Sequence, residues 1–202
     1  PCPLLAVTEP GSRDPGGVAP GADLATDIPR YRVFRHGVCD DIEPADVRAL
    51  WTEDMVGVLL GCSFSWEALL AEKGFPPRHF ERGCNVSMYR TSVPNRGCGP
   101  FRGRLVVSMR PYTPDDVPAV ASITEAFPGA HGSPIHWGSP NEIGIDDLSS
   151  PDYGDAVDIC PGEVPVFWAC GVTPQTAIEE AAAELPLAIT HSPGHMFVTD
   201  LL

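Results

Sequence analysis

Two places in this 202-residue chain set a cysteine between an apolar run and a helix-forming run. The first is Gly61-Cys62-Ser63, after Val56-Gly57-Val58-Leu59-Leu60. The second is Ala169-Cys170-Gly171, at the end of the run from Val164. Both runs have strand length, although a helix starting near Val56 also fits the first. Trp66 to Gly74 reads as a helix. Ser63 or Ser65 can cap it, Glu67 favours its first turn, and Gly74 with Pro76-Pro77 stops it. Thr173-Pro174 reads as the N-cap and first position of a second helix over Gln175 to Glu184. A helix start offers unpaired amides and the positive end of a dipole, worth a few tenths to about 1 kcal/mol to an exposed anion. It also lowers a thiol pKa. The junctions therefore read as a carboxylate-binding crevice or as thiolate sites, against the plainer reading of small buried residues under turns. Ser63, Ser65, Gly171 and Thr173 are better donors than Cys62 and Cys170 are nucleophiles, because nothing nearby activates a thiol.

His191-Ser192-Pro193-Gly194-His195 puts two histidines across a tight turn, with Asp200 close behind. This suits general acid–base catalysis. The spacing matches a helical zinc pair, but Pro193-Gly194 forbids a helix and a third ligand is needed. The plain alternative is a turn whose histidines satisfy backbone carbonyls. His131-Gly132-Ser133-Pro134-Ile135-His136 is a second such turn. Convergence of the four histidines with Asp155 or Asp200 would suit a metal-dependent hydrolase, so a divalent metal stays open. Arg90 and Arg110 follow strand-like pieces and could each hold a carboxylate bidentately, or form surface ion pairs. No G-x-S-x-G, phosphate loop or G-x-G-x-x-G occurs, so no nucleotide cofactor is expected.

These residues need a scaffold. The remaining strand signals are Tyr31–Phe34, Val86–Thr91, Leu105–Met109, Ile135–Trp137 and Leu187–Thr190. Met196–Thr199 reads as a last strand, hairpinned onto Leu187–Thr190 through Ser192-Pro193-Gly194. Pro44–Trp51 reads as a helix, and another opens at Thr113 or Asp115 and runs to Phe127, with Pro114 in its first turn. Residues 9–29 are turn-rich loop. Alternating strands and helices predict an α/β fold, a mixed sheet with helices on its faces. Ligands in such sheets sit beyond strand carboxyl ends, at helix starts.

The net charge of −14, with Lys73 the only lysine, disfavours nucleic acid and anionic membranes as partners. No apolar run approaches the roughly 18 residues of a membrane helix. Seven cysteines without a C-x-x-C point to a reducing, cytoplasmic setting. The chain opens Pro1-Cys2-Pro3 with no Met, which leaves room for an upstream segment.

Taken together, GCSFSWEALL (61–70), NVSMYRT (85–91), GRLVVSMRP (103–111), HGSPIHWG (131–138), PDYGDAV (151–157), GEVPVFWACGVTPQ (162–175) and THSPGHMFVTD (190–200) resemble the D-glutamate cyclase family, whose bacterial members are named hydro-lyases. The resemblance covers nearly the whole chain. It implies closure of D-glutamate to 5-oxo-D-proline with loss of water, hence a small amino dicarboxylate as partner. Family members normally carry a further N-terminal stretch. The implied fold is α/β with a smaller α+β part, placed at 96–161 between main-domain segments 1–95 and 162–202. On this chemistry Arg90 or Arg110 anchors a carboxylate, the two junctions stabilise the oxyanion, and His191 or His195 is acid and base, with His131 and His136 nearby. Another hydro-lyase or lactam-handling enzyme, and a non-catalytic carboxylate-binding module, remain as alternatives, and a homo-oligomer stays open.

Overall fold

The computed structural model describes residues 2–201. In chain order its strands are β1 (Leu4–Val7), β2 (Tyr31–Arg35), β3 (Val38–Cys39), β4 (Val58–Leu60), β5 (Ser87–Pro94), β6 (Arg104–Tyr112), β7 (His136–Trp137), β8 (Val164–Ala169) and β9 (Leu187–His191). The α-helices are α1 (Phe64–Glu72), α2 (Arg78–Arg82), α3 (Val117–Glu125) and α4 (Thr173–Glu180). The mixture of helix and strand is the α/β content that the sequence predicts. Every pairing among the described strands is antiparallel. The junctions therefore do not lie along the carboxyl edge of a parallel sheet.

The chain divides into two compact units: residues 1–3 with 61–177, and residues 4–60 with 178–202. These boundaries differ from the expected 95/96 and 161/162. The first unit holds the four-stranded sheet β5-β6-β8-β7. β6 is buried along almost its whole length, as its Leu-Val-Val-Ser-Met core predicts for a strand covered on both faces. Its side chains alternate. Leu105, Val107 and Met109 pack with Tyr89, Phe167, Ala169, Ile143 and Ile145 on one face. Tyr112 on the other packs with Val166 and Trp168 of β8 against Trp66 and Leu70 of α1 and Val117 and Val120 of α3. α1 stops as predicted, at Gly74 (φ +89°) ahead of Pro76-Pro77. α3 opens later than expected, after Asp116, so Pro114 precedes it and Pro118 occupies its first turn.

The second unit holds the sheets β3-β2-β9 and β1-β4, with a core of Ala25, Tyr31, Val33 and Val47. Two predictions fail here. Pro44–Trp51 makes only a short 3-10 turn at Arg48–Leu50. β9 pairs with β2, Tyr31 opposite His191 and Arg35 opposite Leu187, and not with residues 196–199, which form no strand. The Pro193-Gly194 turn is present, but a two-residue signal cannot compete with five cross-strand pairs that place Leu187 and Ile189 in the core. Among the described residues no helix is long and apolar enough to cross a membrane.

Gly61 is positioned by a close approach. Its N–H donates to the Pro3 carbonyl at 2.9 Å, and a Cβ built on it would stand 1.7 Å from the Gly129 carbonyl oxygen. Gly61→Ala is therefore expected to destabilise the chain by about 1–3 kcal/mol or more. Gly17→Ala, where a Cβ meets nothing, should change stability by less than about 0.5 kcal/mol. Equal denaturant midpoints for the two variants would refute the contact.

Candidate functional site

The alternation that buries Tyr112 also turns Ser108 and Arg110 toward α1 and α3, and Arg110 is fully buried. A buried guanidinium must be paired and hydrogen-bonded. Glu67, in the first turn of α1 beside the inward-facing Trp66, supplies the pair. The Arg110 Nε–H donates to Glu67 Oε1 at 2.7 Å, and Nη2 reaches the same oxygen. Nη2 also donates to Ser63 Oγ and Nη1 to Ser108 Oγ, both at 3.0 Å. The flat guanidinium lies over the Trp66 ring at 4.6 Å and the Trp168 ring at 5.3 Å, in cation–π contact.

The other Glu67 oxygen, Oε2, meets His79 Nε2 at 3.2 Å. Facing a carboxylate, that nitrogen is the donor. His79 lies buried on α2, stacked on Phe64 at 6.0 Å and edge-on to Phe80 at 5.0 Å. Burial works to raise the Glu67 pKa, but Arg110 and then His79 outweigh it and hold the carboxyl below its ordinary value. The three residues form a continuous array with an ionised carboxylate at its centre.

Both junctions adjoin this array. A Cβ on Gly171 would stand 3.6 Å from the Gly61 carbonyl. Ser63 precedes α1 but makes no side-chain cap, because its hydroxyl oxygen accepts the Arg110 N–H instead. Thr173 is likewise occupied: its Oγ1 accepts from the Val106 N–H at 3.1 Å and donates to the Cys170 carbonyl at 2.7 Å, tying α4 to β6. The thiols are not activated. Burial pushes Cys62 up and Cys170 up to about 12, so both are neutral, and the Cys2 thiol, also raised by burial, donates to the Cys170 carbonyl at 3.5 Å. Desolvation here overrides the helix dipole that favours a thiolate.

The structure thus gathers Cys62, Ser63, Arg110, Cys170, Gly171 and Thr173. His131 follows Ala130, whose carbonyl accepts the Trp66 indole N–H at 2.8 Å, and sits in the left-handed region at φ +76°. Arg110 is not placed to anchor a substrate, since its donors face Glu67, Ser63 and Ser108. Arg90 is exposed and bonds the Tyr153 hydroxyl at 2.6 Å. Ser65 is exposed, and His136 meets the Ser139 carbonyl at 2.8 Å.

His191, His195 and Asp200 belong to the second unit. There His191 Nδ1 meets the Ser192 carbonyl at 2.8 Å and His195 Nδ1 the Pro193 carbonyl at 3.2 Å, while the Asp200 N–H donates to the Val18 carbonyl at 2.9 Å. The histidines bond carbonyls, as the plain alternative predicts. Burial lowers the His191 pKa, which favours the neutral imidazole. Among the described residues no group of three or more His, Cys, Asp or Glu could hold a metal ion.

Glu67 and His79 were not sequence candidates. One signal was present. Glu67 stands beside Trp66 and three residues before Leu70, on the buried side of its helix, and an acid there requires a buried cation.

Residues 56–200 match the family model described as D-glutamate cyclase. A Bordetella petrii protein named "Putative hydro-lyase Bpet2233" is 56% identical over 202 residues, which span all of this chain and 75% of that protein. A Geobacillus kaustophilus protein named "Putative hydro-lyase GK2103" is 54% identical over 201 residues, again all of this chain and 75% of the relative. One from Rubrobacter xylanophilus, named "Putative hydro-lyase", is 56% identical over 203 residues, 99% of this chain and 76% of its own.

Arg110→Met leaves buried Glu67 without its guanidinium and with only the His79 N–H as partner, and should cost about 3–5 kcal/mol, whereas Arg110→Met with Glu67→Gln should cost less than the sum of the single changes. Strict additivity in urea melts would refute the coupling. The depressed Glu67 pKa adds stability that is present above the ordinary value of 4.5 and lost as pH falls through the lower folded value. A Glu67→Gln chain should show a flatter stability profile over that acid range.

Proposed function

The chain belongs to the D-glutamate cyclase family, and we propose on that footing that it acts as a hydro-lyase closing D-glutamate to 5-oxo-D-proline and water. The observation that supports this reading is the buried Arg110–Glu67–His79 array behind two adjoining helix-start junctions.

The reaction makes one C–N bond and breaks one C–O bond. The substrate ammonium has three N–H bonds and the lactam product has one. Both protons lost from nitrogen end on the departing oxygen, which leaves as water. A single site that takes a proton from nitrogen and returns it to oxygen therefore balances the reaction. His79, oriented by ionised Glu67, has that capacity, as carboxylate–imidazole couples do. Ser63 is the direct contact in this reading. Its oxygen accepts from the Arg110 cation, which strengthens its own O–H as a donor to a substrate carboxylate. Amides at the starts of α1 and α4, Ser63 and Gly171 to Val172, stabilise the oxyanion formed when nitrogen attacks. Arg110 acts through Ser63 and Glu67, as a positioning residue. A cytoplasmic location fits seven free cysteines.

A second reading assigns the acid–base role to the His191–His195 turn, favoured by the neutral form that burial gives His191. The test is NMR detection of 5-oxoproline from D-glutamate and L-glutamate with purified protein. D-glutamate should be converted, and His79→Ala and Ser63→Ala should each lower kcat by about 100-fold or more. Full activity in His79→Ala with loss in His195→Ala would move the role to the turn. Loss on exhaustive chelation would assign carboxylate neutralisation to a divalent metal. Ligand-induced thermal stabilisation without product would refute catalysis and leave a carboxylate-binding module.

A further inference from the structure

α2 is little more than one helical turn, Arg78–Arg82, and His79 is its one buried residue. A helix this short does not stand without outside contacts. On its inner side the turn is tied to the core through His79, by the bond to Glu67 and the stack on Phe64. Phe80, its other large apolar side chain, is exposed. Apolar packing therefore does little to fix the turn, which needs a second tether on its outer side.

Residues 153–163 supply it, as a strap that runs from β5 to β8. One end is pinned at β5. Met88 and Tyr153 exchange backbone hydrogen bonds at 2.9 and 3.2 Å, and Asp155 accepts from the Asn85 N–H at 2.8 Å. A Cβ on Gly154 (φ +72°) would stand 2.0 Å from the Val86 carbonyl oxygen. The other end enters β8 at Val164. Between them the strap meets the Arg78 guanidinium. Nη2 donates to Glu163 Oε1 at 2.5 Å and Nη1 to Cys160 Sγ at 3.0 Å, with Asp158 at 3.4 Å and Glu81 of the same turn at 3.3 Å. Glu163 is held in its turn, since Oε2 accepts from the Cys160 N–H at 2.7 Å. The Arg78 and Glu163 side chains are only 15% and 14% exposed, against 55% and 49% for the neighbouring Arg82–Asp158 pair. Exposed pairs contribute little. The enclosed pair, with both groups bonded further, restricts the turn.

Arg78 and His79 are consecutive, so about 100° of helix rotation separates them. One side chain meets the strap and the other meets Glu67, and any rocking of the turn moves both. We propose that Arg78 and Glu163 are positioning residues for the Glu67–His79 couple: their ion pair holds α2 at the angle that keeps the His79 Nε2–H on Glu67. The effect on turnover rests on the reading of His79 as the acid–base group. The geometry itself is measured without substrate.

The test is NMR of the full chain, following exchange of the His79 Nε2–H with water, beside steady-state turnover of D-glutamate. The ring N–H exchanges when the turn opens, so its rate reports the tether. Arg78→Met and Glu163→Gln should each speed that exchange by about tenfold or more. Each should also lower kcat by about tenfold, with KM within about threefold of the unaltered chain. Arg82→Gln removes the exposed pair from the same turn and should leave exchange and kcat within about threefold. Should Arg78→Met fail to fold, Glu163→Gln, which keeps the shape of its side chain, decides. Unchanged exchange in Glu163→Gln, or equal acceleration in Arg82→Gln, would overturn the proposal. So would a raised KM with unchanged kcat, which leaves the cyclase reading standing. Accelerated exchange in a chain that converts no D-glutamate would overturn the cyclase reading and leave the tether standing.

Discussion

The Arg110–Glu67 ion pair, held between Trp66 and Trp168, is the interaction on which the first unit depends. A pair of charges removed from water gains little over two apolar side chains of the same size. Removing either partner, by contrast, strands a charge in the core. The pair is thus better understood as a demand than as a gain. It requires that β6, β8, α1 and α2 meet in one register, because Arg110, Trp168, Glu67 and His79 come from those four elements in turn. Slipping β6 by one residue would put Arg110 on the opposite face, among Phe167, Ile143 and Ile145, where no carboxylate waits.

The chemistry of the junctions follows from that demand. Ser63 gives up capping α1 to accept from the guanidinium, and Thr173 gives up substrate contact to join α4 to β6. Burial then neutralises the thiols. What the junctions retain is shape: Gly61 pressed against the Gly129 carbonyl and Gly171 close to Gly61. A site made this way offers backbone donors and one polarised hydroxyl rather than a nucleophile. That matches a reaction in which the substrate supplies its own nucleophile.

Local signals in the sequence read well where local physics decides. The run Val164–Ala169 is β8 end to end, and the Gly74 and double-proline stop closes α1 as predicted. Arg110 stands out because it follows the strand-like run Leu105–Met109, although it reads there as a carboxylate anchor or a surface ion pair. The failures share one cause. The partner of β9, the face on which Glu67 lies and the occupation of Thr173 are settled by residues far away in the chain. Turn chemistry suggested a hairpin beyond Ser192, but pairing with Tyr31–Arg35 buries more apolar surface. Glu67 looked like an ordinary first-turn acid because its partner stands on another element. The thiols read as unactivated for want of an activating neighbour, but the burial that raises their pKa depends on neighbours that no junction motif reveals.

The pairing of β2 with β9 sets an order of events during synthesis. β2 (Tyr31–Arg35) and β9 (Leu187–His191) are separated by the whole of the first unit's sheet, so the three-stranded sheet lacks one strand until every residue up to β9 has left the ribosome. The first unit has no such wait beyond its short N-terminal piece, because its sheet is drawn from a continuous central stretch. Tyr31, Val33 and their apolar neighbours must then remain uncovered while the middle of the chain folds, a state in which an unpaired strand edge is open to other chains. Nascent protein is most exposed to misassociation in that interval, and holding the early segment apart from other chains matters more there than after the chain is complete.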